Sequence, residues 1–296
     1  MSSPSIELLN PTLLAQLERL ELVSRKIFRG RMKGERRSRR KGQSVEFADF
    51  RNYVHGDDLR FIDWNTFARL DKLFLKLFLE EEDLHFFALV DASSSMEFGD
   101  PTKFHYAKQI AASLGFIGLC RADRVKIEAI GSSTSNPGPV LRGRRNLWRM
   151  LEYLEGVQPG INIPLAQGVK EFCLRNSGKG IVVLISDLMD KAGYHEALRY
   201  LLAQNMDIYV IHVLSPEEID PDVTGDIKLI DCEDADIAEI TVSRPLLQRY
   251  KQTLASFIES AREFCNRRAI SYLMTSTDNP VEQLVSNYLR KRGLVR

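Results

Sequence analysis

Three oxygen-bearing side chains follow a short apolar run in the first third of the chain. The run, residues 84–90, has the composition of a buried strand, and Asp91, Ser93 and Ser95 come directly after it in alternating order. A turn alone would be built from Gly, Asn or Pro. Carboxylate and hydroxyl oxygens are instead the ligands that Mg²⁺ prefers. The residue types therefore indicate a cation or polar-ligand site at this turn.

A second carboxylate, Asp187, follows another apolar run, residues 181–186. In an open parallel sheet, ligands bind outside the carboxyl ends of the strands. If the two strands are neighbours, Asp91 and Asp187 share one crevice. The alternative is structural: Ser93 and Ser95 cap backbone amides, and the aspartates accept hydrogen bonds from loop amides. The spacing leaves both interpretations open.

The elements around these residues alternate between strand and helix patterns from residue 84 onward. The apolar runs predict strands at 84–90, 124–131, 181–186, 207–214 and 270–274, with helical patterns between them. Such alternation predicts an α/β fold with a mainly parallel sheet flanked by helices. Leucine spacing predicts an amphipathic helix over 6–27, and Asp100 followed by Pro101 predicts the start of another helix.

Composition places the chain among globular proteins. It has 296 residues, 44% of them hydrophobic and 27% charged, which allows a sizeable core and about two domains. The sequence shows neither a signal-peptide pattern nor an 18-residue apolar stretch, so we expect a cytoplasmic protein without a membrane partner. The four cysteines are far apart, which favours buried thiols over a metal site or disulfides.

The charge is unevenly distributed. Residues 25–41 contain ten Lys and Arg and one Glu, a local charge of +9, whereas the whole chain carries +1 and the remainder therefore −8. This segment is the basis of an alternative function, nucleic-acid binding through phosphate contacts. Phe28 is the one aromatic residue in it that could stack on a base, which counts against that function.

The stretch "RNYVHGDDLRFIDW", residues 51–64, resembles the core signature of the bacterial domain-of-unknown-function-58 family. The Asp-x-Ser-x-Ser turn also resembles the start of the metal-ion-dependent adhesion site of von Willebrand factor A domains. Together the resemblances imply a von Willebrand A-like domain over 80–296. Two short apolar runs break the strand–helix pattern near 227–242 and predict a hairpin insertion there. Residues 1–79 would form an N-terminal extension packed on this domain, made of a helix, the basic segment and the signature motif.

The resemblance also implies a metal site. Its ligands would be Asp91, Ser93, Ser95 and Asp187, and the metal would be Mg²⁺. One position departs from the pattern, because Ile161 stands where the adhesion site normally has a threonine. Isoleucine cannot coordinate a cation, so we expect Mg²⁺ to bind weakly or not at all in the free protein.

The function implied by the resemblance is non-enzymatic. Family members are thought to act with AAA+ ATPases of the MoxR type, so the chain is expected to be an adaptor for such an ATPase. Its crevice would bind an acidic side chain of a protein partner, through Mg²⁺ or by direct polar contacts. A metal-dependent hydrolase built on Asp91 and Asp187 is the weaker alternative, because no base and no hydrolase or P-loop motif is visible.

The signature motif has two interpretations of its own. Its arginines and aspartates predict an ion-pair network that docks the segment onto the sheet, or else a partner-binding surface. A paired-carboxylate acid–base site is the catalytic alternative, although no nucleophile can be assigned from the spacing. The residues concerned are Arg51, Asp57, Asp58, Arg60, Asp63 and Trp64.

Overall fold

The computed structural model describes residues 8–24, 46–79, 84–132, 137–160, 163–176, 178, 180–223, 225–230 and 237–296. They fall into two compact units. The larger contains the residues up to Ser24 and those from Leu84 to Arg296, and the smaller lies within Arg25–Asp83. The sequence pattern had grouped residues up to 24 with the N-terminal extension, whereas the structure groups them with the sheet domain.

Helices and strands alternate along most of the described chain. The helices are α1 Pro11–Leu17, α2 Trp64–Leu70, α3 Lys103–Cys120, α4 Leu147–Gly156, α5 Leu165–Arg175, α6 His195–Leu202, α7 Pro216–Ile219, α8 Arg244–Asn266 and α9 Val281–Gln283, the last continued by a π-helical turn at Leu284–Leu289. The strands are β1 Glu46–Asn52, β2 Phe74–Leu79, β3 His85–Asp91, β4 Arg124–Ile130, β5 Val140–Arg142, β6 Gly180–Ser186, β7 Met206–Leu214, β8 Gly225–Ile230, β9 Ile237–Val242 and β10 Ser271–Ser276.

The larger unit is built on a six-stranded sheet with the order β10-β7-β6-β3-β4-β5. All neighbouring strands are parallel except β5, which runs antiparallel to β4 at one edge. The chain therefore starts in the middle of the sheet at β3, builds outward to β5, and then builds the other half from β6. The strand order reverses between β3 and β6, and this reversal point is where doubly wound sheets bind ligands.

Helices cover both faces of this sheet, because its central strands are apolar on both sides. In β3, Phe86, Ala88 and Val90 face one core cluster, which includes α3, α1 and the C-terminal residues. Phe87 and Leu89 face the other, which includes α5 and α6. This alternation is the two-residue period of a strand. The predicted α/β class, with a mainly parallel sheet flanked by helices, is confirmed.

The predicted N-terminal helix over 6–27 is wrong in its extent. Within the described residues the helix is only α1, which starts after Asn10, whose side chain accepts a hydrogen bond from the Leu13 amide at 2.6 Å. Beyond α1 the chain becomes extended, and Leu22 forms an antiparallel bridge with Val295. Leu22, one of the leucines in the predicted helix, is buried in this pairing with the C-terminus.

The predicted start of α3 is also displaced. Thr102, not Asp100, is the N-cap, and its hydroxyl accepts a hydrogen bond from the His105 amide at 3.1 Å.

Strands β8 and β9 pair antiparallel over the range where the sequence predicts a hairpin. Among the described helices, none combines the length and apolar character needed to cross a bilayer.

The smaller unit is an antiparallel pair, β1 and β2, with an irregular register between Phe47 and Asp49. The connection between the strands contains a 3-10 turn, Leu59–Phe61, and α2. Ile62 forms an isolated bridge to Leu75, which ties this connection back to β2. The signature motif therefore lies on the end of β1, the turn and the start of α2.

Candidate functional site at the switch point of the sheet

Asp91 and Asp187 meet at the carboxyl ends of neighbouring central strands. Asp91 is the last residue of β3 and Asp187 directly follows β6, and the register pairs Val90 with Ile185. Both carboxylates are buried, at 7% and 1% exposure. The structure therefore brings the two carboxylates to the same end of adjacent strands, while their role as one binding site stays a prediction.

The Asp91 carboxylate holds the turn that follows it. Its Oδ1 accepts a hydrogen bond from the Ser93 amide at 3.0 Å, and its Oδ2 accepts one from the Ser186 hydroxyl at 2.6 Å. The Ser186 hydroxyl in turn accepts from the Leu188 amide at 2.9 Å. The bond to the Ser93 amide is the loop contact that the structural alternative predicted for an aspartate.

The two serines of the turn contact each other. Ser93 Oγ and Ser95 Oγ lie 3.0 Å apart within hydrogen-bonding distance, and both residues are half-buried. The chain then forms a 3-10 turn, Ser94–Glu97, and Phe98 beside it is exposed. The turn therefore presents polar hydroxyls next to an exposed aromatic ring.

A buried lysine, Lys103, enters the crevice from the first turn of α3. Its Nζ donates to Asp187 Oδ2 at 2.7 Å and to Glu218 Oε1 at 2.6 Å, and its side chain has no exposed surface. The other oxygen of Asp187 accepts from the Met189 amide at 3.1 Å. Asp187 is thus neutralised from within the protein.

Glu218 is held by its own helix while it binds Lys103. Its Oε2 accepts from the Ser215 amide at 2.8 Å, and the Ser215 hydroxyl accepts from the Glu218 amide at 3.2 Å. This reciprocal pair is a capping box at the start of α7. Sequence reasoning missed both Glu218 and Lys103. The Ser-x-x-Glu spacing at 215–218 and a lysine among the apolar residues of α3 were the available signals.

Burial and charge shift the pKa values at this site. Burial, with a further contribution from the nearby Asp187 charge, raises the pKa of Asp91 to about 6. Burial by itself would lower the pKa of Lys103, but the charges of Asp187 and Glu218 outweigh it, so the net shift is upward. Lys103 is therefore a cation at neutral pH.

His212 lies on β7 beside Ser186 and is fully buried. Its Nδ1 lies 2.6 Å from the Tyr272 hydroxyl. Burial lowers the pKa of His212 to about 4, against the attraction of Asp187, so the imidazole is neutral at physiological pH. The Tyr272 hydroxyl orients the ring through this contact.

The donor set does not fit a magnesium ion as it is arranged here. Both oxygens of Asp91 and both oxygens of Asp187 already accept hydrogen bonds, one of them from an ammonium group. Across the described ranges, no three His, Cys, Asp or Glu side chains group in a way that could hold a metal. A divalent cation bound to Asp187 would have to compete with the Lys103 ammonium or lie beside its positive charge. Ile161, at the expected threonine position, lies outside the described residues.

The arginines of the signature motif pair with aspartates of the same motif. Arg51 binds Asp57 through two hydrogen bonds, at 2.8 and 2.7 Å, and Arg60 binds Asp58 at 2.6 Å. The hydrogen bonds from Arg51 are the main reason why the pKa of Asp57 is lowered. The predicted ion pairs are therefore present, while docking of the motif onto the sheet remains a prediction.

The end of the motif caps α2. Asp63 accepts hydrogen bonds from the Asn65 amide at 3.1 Å and from the Thr66 hydroxyl at 2.8 Å. Trp64 follows it with 58% of its surface exposed and packs edge-to-face on Phe67. These contacts give Asp63 a structural role and leave the Trp64 ring accessible.

The basic segment, residues 25–41, lies outside the described residues.

Comparison with known proteins identifies relatives over most of the chain. The family model described as "Protein of unknown function DUF58" matches residues 49–275. An uncharacterized protein of Mycobacterium bovis and one of Mycobacterium tuberculosis are each 26% identical over 253 residues, which cover 83% of this chain and 79% of the relative.

Similar solved structures include a conserved hypothetical protein, BatB, from Bacteroides thetaiotaomicron, with 15% identity and a TM-score of 0.43 over 71% of this chain and 98% of that one. An aerotolerance-related membrane protein from Bacteroides fragilis has 13% identity and a TM-score of 0.44 over 70% and 99%. The VWA domain of SpRpn10 has 13% identity and a TM-score of 0.38 over 69% and 94%.

Proposed function

Because this chain belongs to the DUF58 family and carries a polar turn at the switch point of a von Willebrand A-like sheet, we propose that it is a non-enzymatic protein-interaction module. The observation that carries the proposal is the half-buried pair of hydroxyls, Ser93 and Ser95, next to exposed Phe98. Exposed aromatic rings are enriched at interaction surfaces, and the two hydroxyls beside Phe98 can add specific hydrogen bonds.

The geometry supports binding rather than catalysis. A nucleophilic serine needs a base within hydrogen-bonding reach. The Ser93 and Ser95 hydroxyls lie within hydrogen-bonding distance of each other, and His212 on β7 is buried against Tyr272. The Asp91 carboxylate beside Ser93 already accepts hydrogen bonds from the Ser93 amide and the Ser186 hydroxyl. Ser186 does bond to a carboxylate, that of Asp91, but Ser186 is completely buried, which keeps a substrate from its hydroxyl.

The proposed partner is a MoxR-type AAA+ ATPase, and the group bound in the crevice is an acidic side chain of a protein partner. The resemblance to the DUF58 family supports the first part. The second is supported by the hydroxyls of Ser93 and Ser95, which can donate to a carboxylate when they give up their mutual bond. Direct polar contacts are sufficient for this, and Mg²⁺ is at most a weak ligand.

The test is association of the full chain with the purified MoxR-type ATPase from the same organism, measured by surface plasmon resonance. We expect the wild type to bind and the double variant Ser93→Ala, Ser95→Ala to lose most of the affinity. The matched control is Ser256→Ala, Ser260→Ala, which removes two exposed serines of α8 that bond only to their own helix. Failure of the wild-type pair to associate would contradict the proposal.

The local charge of +9 over residues 25–41 keeps nucleic-acid binding as the alternative function. Phosphate contacts would make such binding fall steeply with salt. Filter binding of single- and double-stranded DNA and RNA at low ionic strength decides between the two. Salt-dependent retention would favour the alternative, and no retention would remove it.

A further inference from the structure

Lys103 joins three elements of the larger unit inside the crevice. It stands at the start of α3, Asp187 directly follows β6, and Glu218 lies in α7. Its ammonium is 2.7 Å from Asp187 and 2.6 Å from Glu218, and the three side chains have exposures of 0%, 2% and 14%. A buried ammonium is costly unless it is paired and hydrogen-bonded. Asp187 and Glu218 supply both the opposite charge and the hydrogen bonds that the ammonium needs.

The remaining oxygens of these carboxylates are also occupied. The second oxygen of Asp187 accepts from the Met189 amide, and the second oxygen of Glu218 accepts from the Ser215 amide in the capping box. Each of the four carboxylate oxygens therefore has a partner without an added ion. A divalent cation that bound Asp187 would either compete with Lys103 for the carboxylate or lie beside the ammonium and meet the repulsion of its charge.

We infer that the Lys103 ammonium is the permanent cation of this crevice. It balances the carboxylate charge there, which the family resemblance assigns to a divalent metal. The fold and the crevice geometry then do not depend on Mg²⁺. This inference goes beyond the proposed function and does not rest on it, because it concerns the chain without any partner.

The test compares divalent-metal binding by the full-length wild type and by Lys103→Met. We expect MgCl₂ and MnCl₂ to leave the melting temperature of the wild type unchanged, relative to NaCl at the same ionic strength. In Lys103→Met the carboxylates lack their cation, so the melting temperature should fall and both metals should restore part of it. We expect the affinity for Mn²⁺, measured by calorimetry, to rise about a hundredfold over the wild type.

The matched control is Lys126→Met. Lys126 is also buried and bonded to Asn176 and Glu128, but it lies away from the Asp-x-Ser-x-Ser turn. This variant should lose stability without any rescue by metal. Metal rescue of Lys126→Met to the same extent would show a nonspecific effect and would overturn the inference.

Two further outcomes would also overturn it. One is saturable Mn²⁺ binding by the wild type that Asp91→Asn abolishes. The other is a folded Lys103→Met protein that gains no metal binding. If Lys103→Met does not fold, Lys103→Gln takes its place, and if neither folds, Mn²⁺ titration of the wild type decides alone. None of these measurements involves the ATPase, so failure here leaves the interaction proposal standing.

Discussion

Lys103 and Asp187, 84 residues apart in the sequence, form a 2.7 Å ion pair between two almost completely buried side chains. The pair links the start of α3 to the end of β6 at the switch point of the sheet. Together with Glu218 it sets the charge balance of the crevice that the aspartates and serines of the Asp-x-Ser-x-Ser turn line.

Removing one partner of this pair should destabilise the protein strongly. Asp187→Ala leaves Lys103 with one carboxylate in a buried site, and breaking a buried pair typically costs about 3–5 kcal/mol. We expect a loss of that size in the free energy of unfolding, measured by urea denaturation. The control is Lys251→Ala, which breaks an exposed pair with Asp220 and should cost less than about 1 kcal/mol. Equal losses in both variants would contradict the structural role of Lys103–Asp187.

Gly99 should be intolerant of a side chain. Its φ of +94° is in the left-handed region, and an added Cβ would lie 2.8 Å from Ser215 Cβ. Gly99→Ala should therefore lower the free energy of unfolding by about 1–3 kcal/mol. Gly156→Ala is the control, because nothing lies within 4 Å of the added Cβ there and alanine favours the helix. A Gly99→Ala protein as stable as Gly156→Ala would show that the turn does not pack on Ser215.

Asp63 should act as a helix cap in the smaller unit. Asp63→Ala removes the acceptor for the Asn65 amide and the Thr66 hydroxyl, at a cost of about 1–2 kcal/mol. Hydrogen exchange of the α2 amides should accelerate accordingly. Asp63→Asn keeps an acceptor oxygen and should retain most of the protection. If Asp63→Ala exchanges at the wild-type rate but weakens partner binding, the residue is a contact and not a cap.

The described cysteines should react slowly with alkylating agents. Burial raises the pKa of Cys173 from 9.0 to about 11 and that of Cys265 to about 12. A thiol with a raised pKa carries less reactive thiolate below that pKa, so at pH 8 the thiolate fraction of Cys173 is about a hundredfold lower than in the unfolded chain. Iodoacetamide labelling of each site, followed by mass spectrometry, should show this difference between native and urea-unfolded protein. Equal labelling rates in the two states would contradict the burial of these thiols.

The sequence by itself determined the class of the fold and the place of the site. The apolar runs before Asp91 and Asp187 predict two buried strands, and the alternation with helices predicts that these strands are parallel. In a parallel sheet the carboxyl ends of the strands meet at one edge, so the two carboxylates had to lie on the same side. The apolar period and the turn residues are local properties, and a sequence displays them directly.

The tertiary structure alone decided which cation pairs with Asp187. The Ser-x-x-Glu spacing at 215–218 predicts a capping box, but it does not show that the Oε1 atom of Glu218 binds Lys103. That contact depends on which strands are neighbours and on how α3 packs over them, and no local pattern carries this information. The same reason explains the overlong helix predicted at the N-terminus. The burial of Leu22 comes from pairing with Val295 at the other end of the chain, and helical spacing cannot distinguish that from a helix face.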